Sequence, residues 1–219
     1  MRFYVSSEVR ALGIDAQAIL IRNMRIANRN SALERLKKQL ADVVRSRNLE
    51  EDPVLAGYRE HYQRLGCSDY VPPAESLMRL IITNGRAPTI NTAVDIYNLV
   101  AVETSLSLGA HDTARIVGDP RLCITVGTER YLPLNGTELV TLPAGEYACV
   151  DDEKVLCRLD VKQCEETKVI KTTREFLVYA QGNRFTTLAD MQGALRRVGE
   201  LARDIGGSEV CPLFENEQW

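Results

Sequence analysis

The sequence predicts an α+β fold in which a mixed or antiparallel sheet is flanked by helices. Two observations support this class. Amphipathic segments with helix-start residues occupy much of residues 31–105, whereas short β-favouring runs separated by turn residues occupy residues 122–180. Because 219 residues are enough for one well-formed core, we expect a single domain over 1–219, with an N-terminal part (1–70) and a motif-bearing core (71–219).

Five helices are expected, and their ends are marked by capping residues. Ser31 and Glu34 form a capping box at the start of the first helix, and Asp52-Pro53 gives the second an N-cap followed by proline. Asn84-Gly85 ends the third, and Thr187 caps the last. The predicted bounds are 31–47, 53–65, 73–84, 92–105 and 187–205.

Strands are expected before the helical block and after it. Residues 2–5 and the run Ala16–Ile26 are β-favouring, while Asn135-Gly136 and Pro143–Gly145 are turn signals that divide the later runs. The later strands are predicted at 122–126, 147–150, 155–159, 167–170 and 176–180. We expect the central sheet to be built from residues 114–182.

Composition excludes several classes of protein. Apolar residues make up 45% and charged residues 26% of the chain, as in ordinary globular proteins. No stretch approaches the roughly 18 apolar residues of a membrane span, and the N-terminus lacks the apolar core of an export signal, so we expect a cytoplasmic protein. A formal net charge of −3 argues against a non-specific nucleic-acid binder but permits local basic patches.

The cysteines give no sign of a metal site. The six cysteines include no Cys-x-x-Cys pair, and no histidine lies near them at metal-ligand spacing. In a chain without an export signal they are expected to be reduced, mostly buried thiols. We therefore expect neither a metal nor a cofactor. The cysteine positions are 67, 123, 149, 157, 164 and 211.

No standard catalytic signature is present, so the candidate residues come from context. His61 lies among charged residues of the second helix, where a surface or packing role is expected. His111 follows a glycine and precedes Asp112, a more suggestive setting, although a structural histidine is the equally weighted alternative. Asp95 and Asn98 lie one helical turn apart in an apolar run, so they are either satisfied within the core, as we expect, or at the floor of a pocket.

The segment Pro88–Asp112 resembles the tRNA-binding and editing module of the phenylalanyl-tRNA synthetase beta subunit. The family pattern is Pro, then Val-Asp-x-x-Asn, then Gly-x-x-His-x-x-Asp. Downstream, Leu132–Glu138, Glu146–Asp151 and Glu165–Arg174 resemble the hairpin, strand and acidic stretch of the family, so the resemblance covers roughly residues 70–205. One departure is that an aspartate follows the histidine directly. The matching residues are Pro88, Val94, Asp95, Asn98, Gly109 and His111.

The resemblance implies an editing function, because the family's module hydrolyses tyrosyl-tRNA made in error. It implies catalytic roles for Glu165, which would recognise a polar group on the amino acid, and for His111, which would hold the ribose end or the attacking water. The pocket is expected to be lined by the segments Pro88–Asn98, Gly109–Asp112 and Cys157–Glu165. The expected substrate-binding residues are Arg86, Asn91, Asp112 and Gln163.

A basic loop is expected to contact tRNA phosphates, although a solvated surface is the alternative. We define this basic loop as Lys168, Lys171 and Arg174. Two functional hypotheses remain open. One is a trans-acting deacylase of mischarged aminoacyl-tRNA, in which a labile ester needs only a placed water and a polarising group. The other is a non-catalytic module that binds a small ligand or another RNA. Since the sequence contains no class II synthetase core, we expect no aminoacylation.

Overall fold

The structure is a computed structural model that describes residues 1–213, so the last six residues of the predicted 1–219 domain lie outside it. It confirms the α+β class. None of the helices in this described range has the length and apolar character needed to span a membrane. The helices are α1 (Ser7–Ala11), α2 (Ser31–Val44), α3 (Pro53–Arg64), α4 (Pro73–Asn84), α5 (Thr92–Thr104) and α6 (Leu188–Gly206).

The described strands form two main sheets and a short hairpin. The strands are β1 (Tyr4–Val5), β2 (Asp15–Arg22), β3 (Ser107–Asp112), β4 (Arg121–Ile124), β5 (Arg130–Tyr131), β6 (Val140–Thr141), β7 (Tyr147–Val150), β8 (Val155–Arg158), β9 (Lys162–Gln163), β10 (Glu175–Gly182) and β11 (Glu209–Pro212). One sheet has the order β1-β4-β7-β8-β9, the other has the order β11-β2-β10-β3, and β5 pairs with β6. Only the β1–β4 pairing is parallel in this part of the chain, so the first sheet is mixed.

The two faces of β10 belong to different parts of the core. Successive side chains of a strand point to opposite faces. Phe176 and Val178 join the main apolar core, which includes much of α5 and α6, whereas Leu177 and Tyr179 join a smaller cluster with Phe3 near the five-stranded sheet. Helix α5 is buried on nearly all sides, in agreement with its largely apolar sequence.

The prediction of one central mixed sheet from residues 114–182 is confirmed only in part: four of the five strands of the first sheet, β4, β7, β8 and β9, come from that range, but the protein has a second main sheet. Three of the four strands in the second sheet, β2, β3 and β11, come from outside that range. The predicted strand at 167–170 is wrong, because its backbone is bonded elsewhere: Asn91 donates to the carbonyl of Val169, and the amide of Asp112 donates to the carbonyl of Thr167. Thr167 and Val169 are buried without a strand ladder.

The five predicted helices are confirmed to within three residues at their ends. Ser31, however, is not the cap of α2. Asn30 is the cap, since its side chain accepts hydrogen bonds from the amides of Ala32 and Leu33. The strand predicted to reach residue 26 ends at Arg22, because Asn23 adopts a left-handed φ of 58°. The short elements α1, β3, β5, β6, β9 and β11 were not predicted.

Candidate ligand-binding site

A cavity of about 660 Å³ opens between helices α4 and α5, the end of β3, the β5–β6 hairpin and the loop joining β8 to β9. Its volume lies in the range of small-molecule sites, which are roughly 300–1,000 Å³. We call it the central cavity. Its aromatic and polar lining includes Tyr70, Tyr97, Tyr131, Asn98, Asp160 and Gln163.

Asp160 is the carboxylate of this lining, and it is almost completely buried, with 6% of its surface exposed. Its Oδ1 accepts hydrogen bonds from the hydroxyls of Tyr62 at 2.7 Å and Tyr147 at 3.0 Å. Its Oδ2 has no exposed surface and no hydrogen bond of full geometry within residues 1–213, although the side chain of Ser107 lies close to the carboxylate. Burial raises the pKa of Asp160, while hydrogen bonds from Tyr62, Ser107 and Tyr147 oppose the rise.

The turn that carries Asp160 has a strained backbone. Leu159 adopts a left-handed φ of 53°, which is unfavourable for a residue with a branched side chain. The turn is held by hydrogen bonds from the Leu159 amide to the Tyr147 carbonyl and from the Val161 amide to the Arg158 carbonyl. Because Leu159 is also fully buried, packing fixes this conformation and keeps Asp160 at the cavity wall.

The tyrosines behind Asp160 form a buried network that joins α3 to both sheets. Gln181 donates from Nε2 to the hydroxyl of Tyr147 at 2.9 Å, and the hydroxyl of Tyr58 bonds the Gln181 carbonyl. Burial raises the pKa of Tyr62 and of Tyr147 well above the usual value, so both hydroxyls stay protonated. They therefore act as donors to Asp160.

The cations beside the cavity are already engaged. Arg158 makes a two-pronged ion pair with Glu146, with both nitrogen–oxygen distances 2.6 Å, and lies over the ring of Tyr70. Lys162 places its ammonium 5.6 Å from the centre of the same ring. Neither cation forms an ion pair with Asp160 in the described structure.

A second cavity, of about 790 Å³, lies between α2 and the loop that joins α4 to α5. We call it the basic cleft. Its exposed cations, Arg29, Lys38 and Arg86, have no ion-pair partner among residues 1–213, whereas the buried Lys37 bonds Glu34, Thr89 and Asp95.

Comparison with known proteins places this geometry in a family. The model of the B3/4 domain family matches residues 59–196, which include the whole lining of the central cavity. The chain belongs to the B3/4 domain family. In the basic cleft, Arg86 lies within the matched range and Arg29 and Lys38 precede it.

Relatives of this B3/4 domain include phenylalanine–tRNA ligase beta subunits. That of Shewanella oneidensis is 34% identical over 111 residues, and that of Mycoplasmoides gallisepticum is 33% identical over 76 residues. These matches span 51% and 35% of this chain but only 14% and 9% of the relatives. In structure, the chain is similar over 95% of its length to half of an N-terminal fragment of the phenylalanyl-tRNA synthetase beta subunit from Pyrococcus horikoshii, with a TM-score of 0.54 and 13% identity. At 13% identity, the similarity to the Pyrococcus horikoshii fragment shows a shared fold and nothing more.

In this B3/4 domain His111 is completely buried on β3. Its Nδ1 lies 2.8 Å from the hydroxyl of Thr167, its ring stacks on Tyr179 with centroids 5.8 Å apart, and its Nε2 has no partner within the described chain. Burial lowers the pKa of His111 to about 3, so the ring is neutral near pH 7. In this conformation His111 has no exposed surface with which to contact a ligand. His61 is also buried, on α3.

Glu165 lies at the surface of the domain. Its Oε2 accepts a hydrogen bond from the amide of Asn135 at 3.0 Å, and its Oε1 pairs with Lys168 of the basic loop. These two contacts lower the pKa of Glu165. The carboxylate therefore ties the tip of the β5–β6 hairpin to the basic loop, all three members of which are exposed.

The predicted substrate-binding residues are spread over several places. Gln163 lines the central cavity, and Arg86 lines the basic cleft. Asn91 caps α5 and donates to the Val169 carbonyl, so its polar atoms are used within the fold. Asp112 accepts from the Ala114 amide and the Thr173 hydroxyl and lines a separate cavity of about 300 Å³.

The expectation that Asp95 and Asn98 are both structural is confirmed for the first and wrong for the second. Asp95 accepts from the amide of Ile90 at 2.8 Å and from Lys37 at 2.9 Å. Asn98, one turn later, lines the central cavity, and its side-chain amide makes no hydrogen bond to the residues described. Of the segments expected to line the pocket, 88–98 and 157–165 contribute residues to the central cavity, and Leu108 lines it where residues 109–112 were expected.

Asp160 and its tyrosine partners were missed in the sequence. The available signal was a lone acid at the end of the apolar run 155–161, directly after a predicted strand. The hydroxyls of Tyr62 and Tyr147 come from distant elements, α3 and β7, so no local pattern connects them to Asp160.

Proposed function

We propose that the chain binds the aminoacylated end of a tRNA in the central cavity and hydrolyses esters formed with the wrong amino acid. The observation that carries the proposal is the central cavity itself, a concave site of about 660 Å³ within the residues matched to the B3/4 family. Tyr70, Tyr97 and Tyr131 offer apolar surface to an amino-acid side chain, and Asn98 and Gln163 offer polar groups to the ester.

Hydrolysis of an aminoacyl ester needs few catalytic groups from the protein. A water oxygen attacks the carbonyl carbon, the bond from that carbon to the ribose oxygen breaks, and the ribose oxygen leaves with a proton. The products are a free amino acid and uncharged tRNA. Because this ester is labile, orienting one water contributes most of what is needed. We assign that orientation to Asn98 and Gln163, whose side-chain amides have no partner among the described residues.

Catalytic roles for His111 and Glu165 remain part of the proposal. His111 must become exposed to hold the ribose end or the water, since it is completely buried in the observed conformation. Glu165 must leave Lys168 to recognise a polar group on the amino acid. His111→Ala is then expected to lower the rate of deacylation with little change in tRNA affinity. Glu165→Ala is expected to reduce discrimination between hydroxylated and plain aromatic side chains.

The tRNA backbone is proposed to contact the exposed basic loop and Arg86. Phosphate contacts of this kind position a nucleic acid, and they weaken as salt concentration rises. Arg86, as part of the basic cleft, also has no ion-pair partner within residues 1–213, so its charge is available to a phosphate.

A second candidate function is binding without catalysis. The observation that favours it is the state of the two predicted catalytic residues, because His111 is buried and Glu165 is paired. In this case the central cavity would hold a small ligand or an RNA end without cleaving it.

A deacylation assay separates the two functions. tRNA mischarged with a labelled amino acid is incubated with the wild-type chain, with Gln163→Ala, and with Gln63→Ala as a control for an exposed amide outside the cavity. The proposal predicts release faster than spontaneous hydrolysis for the wild type and the control, and slower release for Gln163→Ala. Release at the spontaneous rate, with tRNA still bound, would support binding alone.

A further inference from the structure

The basic cleft concentrates positive charge on a chain whose formal net charge is −3. Its exposed cations, Arg29, Lys38 and Arg86, form no ion pair with residues 1–213. The one acid in its described lining, Glu34, is bonded to the buried Lys37 at 2.9 Å. Since a cleft lined by charge of one sign attracts ions of the other sign, these exposed cations are available to an anionic ligand.

Lys37 holds the two walls of the basic cleft together. Its ammonium is 5% exposed and donates to Glu34 of α2, to Thr89 of the loop between α4 and α5, and to Asp95 of α5. This network fixes α2 against the loop, so the exposed cations are carried by walls that are already in place. The two acids exceed Lys37 by a single charge, and the three exposed cations therefore leave the cleft positive.

The exposed cations are carried at backbone positions spread along the cleft. Arg29 directly precedes Asn30, the cap of α2, and Lys38 lies two turns into that helix, roughly 11 Å further along its axis. Arg86 belongs to the opposite wall, the loop that joins α4 to α5. Cations spread over two walls suit a ligand with repeated negative charges, and a nucleic-acid strand carries one charge on each nucleotide.

The basic cleft and the central cavity meet at one side chain. Leu80 of α4 lines both of them, and 47% of its surface is exposed. An RNA strand whose aminoacylated end occupies the central cavity can therefore pass over Leu80 and place its preceding phosphates in the cleft. This position favours RNA over an acidic peptide as the ligand of the cleft.

We propose that Arg29, Lys38 and Arg86 bind the phosphates of the single-stranded RNA that leads to the aminoacylated end. The inference rests on the proposed function, because that function places the RNA end in the central cavity. Arg29 and Lys38 precede residues 59–196, which match the B3/4 family, so two of the three contacts come from outside the matched domain. Phosphate contacts position a strand without reading its sequence, so the cleft is expected to contribute affinity and not the choice of amino acid.

Fluorescence anisotropy of a labelled single-stranded RNA of about ten nucleotides measures binding to the full chain at several salt concentrations. The cleft variant replaces the three exposed cations of the cleft with alanine. Single strands lose about 0.7 units of salt slope per phosphate contact, so this variant should lose about two units of slope and bind about tenfold or more weakly at low salt. The control variant, which should keep the wild-type affinity and slope, replaces three exposed arginines outside both cavities: Arg64, Arg115 and Arg203.

The path over Leu80 is tested by a second matched pair. Leu80→Glu places a negative charge where the two cavities meet, whereas Ile82→Glu places one on the same helix, at a side chain that is 43% exposed and outside both linings. Leu80→Glu is expected to weaken RNA binding several-fold more than Ile82→Glu. Equal binding by the two variants would contradict this path.

An unchanged slope in the cleft variant, or an equal loss of affinity in the arginine control, would overturn the proposal. Competition by polyglutamate as effective as competition by RNA of equal charge would do the same, because it would indicate a site for acidic peptides. Deacylation of mischarged tRNA by the wild type tests the proposed function separately. Release at the spontaneous rate, with the difference in RNA binding intact, would remove the proposed function and leave the cleft as an RNA site. Faster release without that difference would remove the cleft and leave the proposed function.

Discussion

The buried, neutral state of His111 predicts a specific loss of stability in acid. Burial lowers the pKa of His111 to about 3, whereas an unfolded histidine has a pKa near 6.5. The unfolded chain therefore takes up a proton at this residue below about pH 6.5, while the folded chain does not. Well below pH 6.5 each pH unit costs about 1.4 kcal/mol, so the folded state should lose about 2 kcal/mol between pH 6.5 and 4.5 through this one group.

Urea unfolding at several pH values measures this loss, with His111→Asn as the comparison. Asparagine cannot titrate, and its side chain is placed to keep a bond to Thr167. The variant will be less stable than wild type near pH 7, because it loses the stacking on Tyr179. The informative quantity is the slope: the free energy of unfolding of the wild type should fall more steeply below pH 6 than that of the variant. Parallel curves would refute the neutral, buried histidine.

Three further predictions follow from other contacts. Asp160→Asn should raise the melting temperature at pH 7. Burial raises the pKa of Asp160 above its unfolded value, so the ionised carboxylate makes the wild-type fold less stable as pH rises. The difference in melting temperature between variant and wild type should therefore disappear below about pH 4, as thermal scans will show. Gly109→Ala should lower the free energy of unfolding by about 1–3 kcal/mol in urea titrations, because a Cβ at this position would lie 2.8 Å from the Tyr179 ring. An unchanged free energy of unfolding would mean that the ring moves aside freely. Replacing all three basic-loop residues with alanine should flatten the salt dependence of tRNA binding by about two units of slope or more in filter-binding titrations, and an unchanged slope would place the phosphates elsewhere.

Helix positions could be predicted because their signals are local. The Asp52 cap accepts hydrogen bonds from the amides of residues 54 and 55, and Thr187 forms its capping box with Asp190, so each start is encoded within four residues. Sheet membership could not be predicted in the same way. Strand β11 pairs with β2, and Glu209 lies opposite Arg22 across most of the chain length. No pattern within either segment specifies that partner.

The difference between local and long-range signals also explains which residues of the candidate site could be predicted. Asp95 and Asn98 have the same spacing signal, but packing of α5 places one against Lys37 and the other in the central cavity. His111 is buried because β3 is covered on both faces, and β3 was not predicted as a strand. Asp160 depends on a turn and on hydroxyls from two distant elements. The family resemblance located the domain, whereas the polar groups of this cavity required its three-dimensional structure.

A crystal structure of the chain with an amide-linked aminoacyl-adenosine tests the central claim most directly, because the amide resists hydrolysis. The account predicts that the aminoacyl group occupies the central cavity, with its carbonyl near Asn98 or Gln163. Binding of the aminoacyl group in the basic cleft, or at any site that leaves the central cavity empty, would contradict it.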